Sequence, residues 1–369
     1  MKSQLPIADF YAGKSVFITG VTGFVAKVCV EKLLYSCKDI DKVFVLVRNK
    51  KDENIAKRMD KVINSPVFSR LKADRPQDLN KIIPVAGDIH KPELGISDED
   101  QKRLIDKVSV VFHVAASVDF EEELISSLNT NLMGTVNTLS LSRRMKNIEA
   151  FVHVSTAYCN THVNVLEEKV YPPPAQLDEV LKCLEEPKLN ENRLNKLYRD
   201  RPNTYTYAKA LAENYVAEHH GNVPTVIVRP SIVVSSSKEP IPGWSDTIQG
   251  ATALVSTSWK GLNRVILGRD HHIVDLIPVD YVSNLLIVAA ARCHSSSNVT
   301  VHNCCTSSTK PLTLEIMLNL LQKREADNAY SIMYPRVIFT KSKTLLSILT
   351  VLLQTGPSYA ADLFRRIKG

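Results

Sequence analysis

Residues 15–26 read Ser-Val-Phe-Ile-Thr-Gly-Val-Thr-Gly-Phe-Val-Ala. An apolar run, Val16–Thr19, leads into Gly20 and Gly23, and the stretch from Val25 to Tyr35 then has helical character. Glycine lets the chain turn tightly and lets its backbone approach a pyrophosphate, whose negative charge is favoured at the positive end of the following helix. A glycine-rich string alone is weak evidence, because turns use glycine for steric reasons. A strand before it and a helix after it make it strong. Gly20, Thr22, Gly23, Phe24 and Val25 are therefore candidate cofactor-binding residues. Ala26 stands at the last small position, where such loops often carry glycine, and is still small enough for close helix–strand packing.

The same alternation continues outward. Val43–Val47, Ile82–Val85, Val108–Val114, Phe151–Val154 and Thr225–Val228 are short runs rich in Val and Ile, bounded by turn or charged residues. Such runs suit strands buried on both faces of a parallel sheet. Between them, Asp52–Ile63, Ser97–Asp106, Leu124–Met145 and Tyr205–His219 have helical character. Alternating strand and helix implies right-handed crossovers and a doubly wound α/β fold with a parallel sheet, the Rossmann arrangement. One crossover, from the strand at Phe151 to that at Thr225, is unusually long. Its part 160–202 contains Tyr171-Pro-Pro-Pro174 and a leucine spacing over Leu177–Leu197 that favours a helical lid over disorder. Farther on, Asp280 is placed to cap the apolar helix Val282–Arg292. A cofactor-binding domain is expected over 1–335, followed by a basic and apolar helical tail, 336–369, as the stub of a C-terminal domain.

The composition, 44% hydrophobic and 23% charged, is that of a globular chain and excludes wholesale disorder. The seven cysteines show neither a CxxC nor a Cys/His metal spacing, so free thiols in a reducing compartment and no metal are expected. The first 14 residues lack the apolar core of a secretory signal, which favours an intracellular protein. No segment reaches the roughly 18 apolar residues of a membrane span; the nearest is Leu345–Leu353. The formal charge is +7, and most of the excess lies beside that run: Arg336, Lys341, Lys343, Arg365, Arg366 and Lys368 against Asp362, a net of +5. A tail of this kind either lies in an anionic membrane interface or packs on further residues of the protein. No nucleic-acid partner is expected, and the oligomeric state is open.

The second run ends in Leu46-Val47-Arg48. A dinucleotide fold that prefers NAD places an acidic residue there for the ribose 2′-hydroxyl. The planar fork of Arg48 matches a 2′-phosphate instead, which points to NADPH. Lys50 and Lys51 follow, and a solvated surface explains them as well. Asp88 and Ile89 close the third run, where the carboxylate would accept from the adenine amino group or cap a turn. Ala115 and Ala116 end the fourth, small enough to let the chain pass close to the cofactor ribose, while His113 reads as a satisfied core histidine. Asn131 would tie its helix to the fourth strand. The fifth run ends in the hydroxyls of Ser155 and Thr156. Downstream, Tyr205 and Lys209 stand at i and i+4 and share a helix face. An ammonium beside a phenol lowers a pKa ordinarily near 10, which would tune Tyr205 to give a proton to a carbonyl oxygen as hydride reaches its carbon. Tyr207 points to a different face and is assigned to packing.

In order along the chain, Gly20-Val-Thr-Gly-Phe24, Leu46-Val-Arg48, Gly87-Asp88, His113-Val-Ala-Ala116, Val154-Ser-Thr-Ala-Tyr158, Tyr205-Thr-Tyr-Ala-Lys209 and Arg229-Pro-Ser231 resemble the extended short-chain dehydrogenase/reductases. With Thr19-Gly20, Tyr171-Pro-Pro-Pro174, Asn203-Thr-Tyr205 and Ala210-Leu-Ala-Glu213, the chain more narrowly resembles the eukaryotic fatty acyl-CoA reductases, over about residues 10–355. That resemblance implies NADPH-dependent reduction of a long-chain acyl-CoA to a primary alcohol plus CoA, through a bound aldehyde and with two NADPH. It implies Tyr205 as the acid and Lys209 holding the nicotinamide ribose and tuning Tyr205. A hydroxyl of Thr156 or Ser155 would steady the oxyanion, with Thr156 preferred, and Pro230 and Ile232 would line the nicotinamide pocket. It also implies a peroxisomal or endoplasmic-reticulum membrane location. The family usually continues into a further helical domain beyond the point that matches Gly369. Two other readings stay open: another extended-family dehydrogenase or epimerase acting on a sugar nucleotide or sterol, and a non-catalytic NADP-binding protein.

Overall fold

In the computed structural model, the described residues are 5–49, 53–186, 190–199, 201–246, 248, 250–293, 298–323, 337–359, 364 and 366. Lys50, Lys51, Asp52, Arg336, Asp362, Arg365 and Lys368 lie outside them, as does the domain boundary expected near 335.

The Val- and Ile-rich runs form one parallel sheet. Its strands are β1 (Ser15–Thr19), β2 (Val43–Val47), β3 (Ile82–Ala86), β4 (Val108–His113), β5 (Ala150–Val154), β6 (Thr225–Pro230) and β7 (Thr300–Cys304), in the order β7-β6-β5-β4-β1-β2-β3. The order reverses at β1, and in open α/β sheets the ligand crevice lies at that reversal, beyond the carboxyl ends of the strands. Alternate side chains enter two cores. Val16, Ile18, Val110, Phe112, Val152 and Val228 face one, which is covered by helices α1 (Phe24–Ser36), α2 (Ile55–Ile63) and α6 (Val279–Ala291). Phe17, Phe44, Val111, Phe151 and Ile227 face the other, covered by α3 (Asp98–Lys107), α4 (Gly134–Arg143) and α5 (Thr204–His219). Burial on both faces is why these strands read as unbroken apolar runs.

Three details depart from the sequence reading. Leu124–Met145 is not one helix: an α-helical turn, Leu124–Leu128, passes through a π-helical segment, Asn129–Met133, before α4 begins. The strand β7 was not anticipated, because at the sheet edge only Val301 and Cys304 of Thr-Val-His-Asn-Cys are buried. Asp280 does not cap its own helix. Pro278 holds the N-cap position, and the Asp280 carboxylate accepts hydrogen bonds from the backbone N–H groups of Ser237 (3.0 Å), Lys238 (2.9 Å) and Glu239 (3.4 Å). Those three donors lack strand partners, and the loop they belong to outcompetes the helix end for the carboxylate.

Among the described residues, the long crossover between β5 and β6 holds two helices ahead of α5, Leu177–Glu185 and Glu191–Leu197. Leu177, Val180, Cys183 and Leu194 are buried in a third apolar cluster with Tyr207, Ala208, Leu211 and Ala212 of α5. Tyr207, fully buried, donates its hydroxyl hydrogen to the Leu197 carbonyl at 2.9 Å, in keeping with a packing role.

The chain divides into two compact units: 1–244 with 277–304, which contains the sheet, and 245–276 with 305–369. In the second, Val265–Leu267 and Ile338–Thr340 pair in parallel beside helices Gly250–Trp259, Leu314–Lys323 and Lys343–Thr350. No helix among the described residues is long and apolar enough to cross a membrane.

Candidate active site

The glycine turn after β1 is shaped by its neighbours. Gly20 adopts φ +83°, and a Cβ there would lie 2.8 Å from the backbone of Ala115, so only glycine fits. The approach is locked from below by Thr19, whose hydroxyl oxygen accepts from the backbone N–H of Val114 (3.2 Å) and Ala115 (3.1 Å). Gly23 closes the turn by donating its N–H to the Gly20 carbonyl at 2.8 Å and is the N-cap of α1, with no side-chain cap. A helix entry of this kind can present backbone N–H groups to an anion. Phe24 packs its ring on Trp244 at 5.6 Å, Val25 packs partly against the first core, and Ala26 is buried between helix and sheet.

Arg48 follows β2 with its side chain about half exposed. Arg58, from α2, donates to the Arg48 carbonyl and, at 3.3 Å, to the Thr22 hydroxyl. Sequence reasoning missed Arg58, because ten residues and a helix start separate it from Arg48. Asp88 is 3.9 Å from the Arg48 guanidinium and accepts from both the backbone N–H (3.1 Å) and Nδ1 (2.6 Å) of His90. Burial pushes its carboxyl up, but the His90 hydrogen bonds and the nearby His90 and Arg48 charges outweigh that and leave it below its ordinary value. Ile89 is buried against Gly134, and its carbonyl accepts from Asn137. Ala115 is half-buried and Ala116 exposed just beyond β4. Asn131, in the π-helical segment, accepts from the Ser117 N–H (3.1 Å) and donates to the Ser117 carbonyl (3.2 Å), joining that segment to the chain leaving β4.

Ser155 and Thr156 are both buried at the end of β5. They diverge: the Ser155 hydroxyl lies 3.9 Å from the Cys159 thiol, whereas the Thr156 hydroxyl receives the Tyr158 N–H at 3.2 Å and faces the Tyr205 phenol. The phenol is pushed up, not down as the spacing with Lys209 suggested. Burial dominates, and the neighbouring Thr156 hydroxyl offsets only part of it. Lys209 is committed elsewhere, with Nζ donating to the Val154 carbonyl at 2.7 Å and lying 3.4 Å from His153 Nε2. Burial pushes its ammonium down to about 8, with the Glu213 carboxylate working against the shift. Pro230, at the end of β6, accepts from the Ala157 N–H at 2.9 Å, which sets the Ser155–Ala157 turn beside it, and half-buried Ile232 follows two residues on. His113 is the satisfied core histidine expected, with Nδ1 3.0 Å from the Thr19 hydroxyl and Nε2 3.2 Å from that of Thr135. Burial pushes it down to about 3.

A phenol, a hydroxyl beside it, a buried lysine one helical turn away and a glycine turn all stand at the carboxyl edge of one sheet. Solved structures share the fold. The terminal R domain from the myxalamid PKS-NRPS biosynthetic pathway superposes with a TM-score of 0.64 at 23% identity, covering 92% of this chain and 76% of that one. The UDP-glucose 4-epimerase of Thermotoga maritima superposes with a TM-score of 0.54 at 17% identity, covering 89% and 86%. At those identities the likeness establishes the fold alone, a Rossmann domain. The family described as "Male sterility protein", an NAD-binding domain, matches residues 18–286, and a nicotinamide dinucleotide is accordingly the cofactor class. Among curated relatives, fatty acyl-CoA reductase 1 of Xenopus laevis is 38% identical over 374 residues, covering 99% of this chain and 72% of that protein. The Homo sapiens protein of the same name is 36% identical with the same coverage, and a putative fatty acyl-CoA reductase of Drosophila melanogaster is 36% identical over 99% and 73%. The chain belongs to the fatty acyl-CoA reductase family of oxidoreductases, the male sterility proteins.

Proposed function

We propose that this protein reduces a long-chain fatty acyl-CoA to a primary fatty alcohol and CoA at the expense of NADPH, through an aldehyde that stays bound. The observation that carries the reading is the Tyr205 phenol beside the Thr156 hydroxyl at the sheet edge, with Lys209 one turn along the same helix. The turn at Gly20, which a single methyl group would obstruct, fits a pyrophosphate backbone. Bound there, NADPH would supply hydride to the carbonyl carbon.

Burial keeps Tyr205 protonated, so it meets the substrate as a neutral acid and gives its proton to the carbonyl oxygen. Thr156 would hold that oxygen while charge builds on it. After the first reduction the carbon–sulfur bond breaks and CoA leaves as the thiol, exposing the aldehyde to a second round at the same residues. Lys209 would hold the nicotinamide ribose. NADPH is favoured over NADH because two guanidinium groups, Arg48 and Arg58, stand at the end of β2 where the ribose 2′ position falls. Gly20, Thr22, Gly23, Phe24, Val25, Asp88, Ile89, Ala115, Ala116, Pro230 and Ile232 complete the proposed cofactor cradle.

The Lys343–Thr350 helix and its continuation expose Leu345, Ile348, Val351, Leu352 and Tyr359 beside Lys343, which suits peripheral contact with an anionic membrane surface.

The Tyr205→Phe variant tests the assignment. It should bind NADPH as the wild type does, measured by nicotinamide fluorescence, and lose about 10²–10⁴-fold in turnover of palmitoyl-CoA. Undiminished turnover would remove Tyr205 from the mechanism.

A further inference from the structure

Under Lys209, the β4 and β5 strands carry His113 and His153 side by side, paired in register. Their rings stack at 5.6 Å with 24° between planes. His113 has a hydroxyl on each nitrogen, whereas His153 does not. His153 is fully buried, its Nε2 lies 3.4 Å from Lys209 Nζ, and its Nδ1 is buried without a hydrogen-bond partner among the described residues. A valine or leucine would fill this strand position without desolvating an imidazole nitrogen, so packing alone does not account for a histidine here. What the imidazole adds is a lone pair facing the ammonium.

The groups around Lys209 can be counted by element. The Val154 carbonyl and His153 come from β5, Glu213 from the next turn of α5, and Cys159 from the chain after β5, while His113 lies behind His153 on β4. Glu213 is engaged by Arg229 through bonds of 2.8 and 2.7 Å, and burial and Glu213 keep the Cys159 thiol neutral. Burial, with the Lys209 charge adding to it, holds the His153 imidazole neutral as well. A neutral imidazole has one nitrogen that accepts, and an ammonium can only donate.

We propose that His153 is a positioning residue, whose unprotonated Nε2 accepts a hydrogen bond from Lys209 and so keeps that side chain an ammonium, fixed at the carboxyl edge of the sheet. The inference rests on the reading of Lys209 as part of the reductase site. An acceptor stabilises the ammonium over the amine. Removing it therefore drives Lys209 to lose its proton at still lower pH than the value of about 8 set by its burial.

Protein carrying 15N in its histidine rings tests this directly, with the His153 signals identified by their loss in His153→Gln. The expected spectrum shows a neutral ring with the proton on Nδ1 and Nε2 bare; a proton on Nε2 overturns the proposal, since that nitrogen could not then accept. A second measurement is the pH profile of kcat/KM for palmitoyl-CoA. In His153→Phe the high-pH limb should move down by about one unit, and His153→Gln, which keeps an acceptor, should restore most of that shift. A loss equal at every pH in His153→Phe would mark a purely structural role and overturn the proposal. If the wild type turns over no acyl-CoA, the reductase reading fails, and the ring tautomer still decides this inference by itself.

Discussion

Gly20 shows what a single residue does here. A methyl group at this position would meet the Ala115 backbone at 2.8 Å while the chain sits at φ +83°, where side chains other than glycine's are strained. Gly20→Ala should cost at least about 1–2 kcal/mol of stability and weaken NADPH binding, read from a denaturant midpoint and a fluorescence titration. Unchanged values for both would mean that the turn is not under this constraint. The glycine was legible in the sequence because its neighbours in the chain announce it. The state of Tyr205 was not. The i, i+4 spacing with Lys209 is a local fact, but the phenol's proton is governed by burial and by Thr156, 49 positions upstream, and Lys209 spends its ammonium on Val154 and His153. His153 itself went unnoticed because one histidine in an apolar strand carries no pattern; only the strand register sets it under Lys209.

At the scale of elements, α5 carries both proposed reactive side chains and is pinned to β6 by one ion pair. Glu213, fully buried, accepts from Arg229 Nε at 2.8 Å and Nη2 at 2.7 Å. The same guanidinium donates to the carbonyls of Glu167 (3.1 Å) and Lys169 (2.8 Å), so the start of the long crossover is held by the residue that anchors the helix. Glu213→Gln leaves a buried guanidinium without its counter-charge and should cost about 3–5 kcal/mol, visible as a lower urea midpoint with an unchanged slope. A change below about 1 kcal/mol would show that the pair is not a fastener. Strands and helices of the sheet were largely readable, since double burial gives unbroken apolar runs. The edge strand β7 and the π-helical segment were not, because one is half exposed and the other sits inside an otherwise helical run with no breaker residue to mark it.

For the molecule as a whole, the doubly wound sheet brings the residues at the ends of β1, β2, β4, β5 and β6 to one edge, although they are scattered from 19 to 232. That gathering gives the fold its chemistry, and the parallel order could be argued from alternation alone. The two-unit division could not, because 245–276 joins 305–369 across the stretch that returns to the sheet. The measurement that tests the central claim most directly is the stoichiometry of one reaction: purified protein, palmitoyl-CoA and NADPH, with nicotinamide oxidation followed optically and products identified by mass spectrometry. Two NADPH consumed for each hexadecanol and CoA released, and far slower reaction with NADH, is the predicted result. No NADPH oxidation with any long-chain acyl-CoA, from protein that binds NADPH, would contradict it.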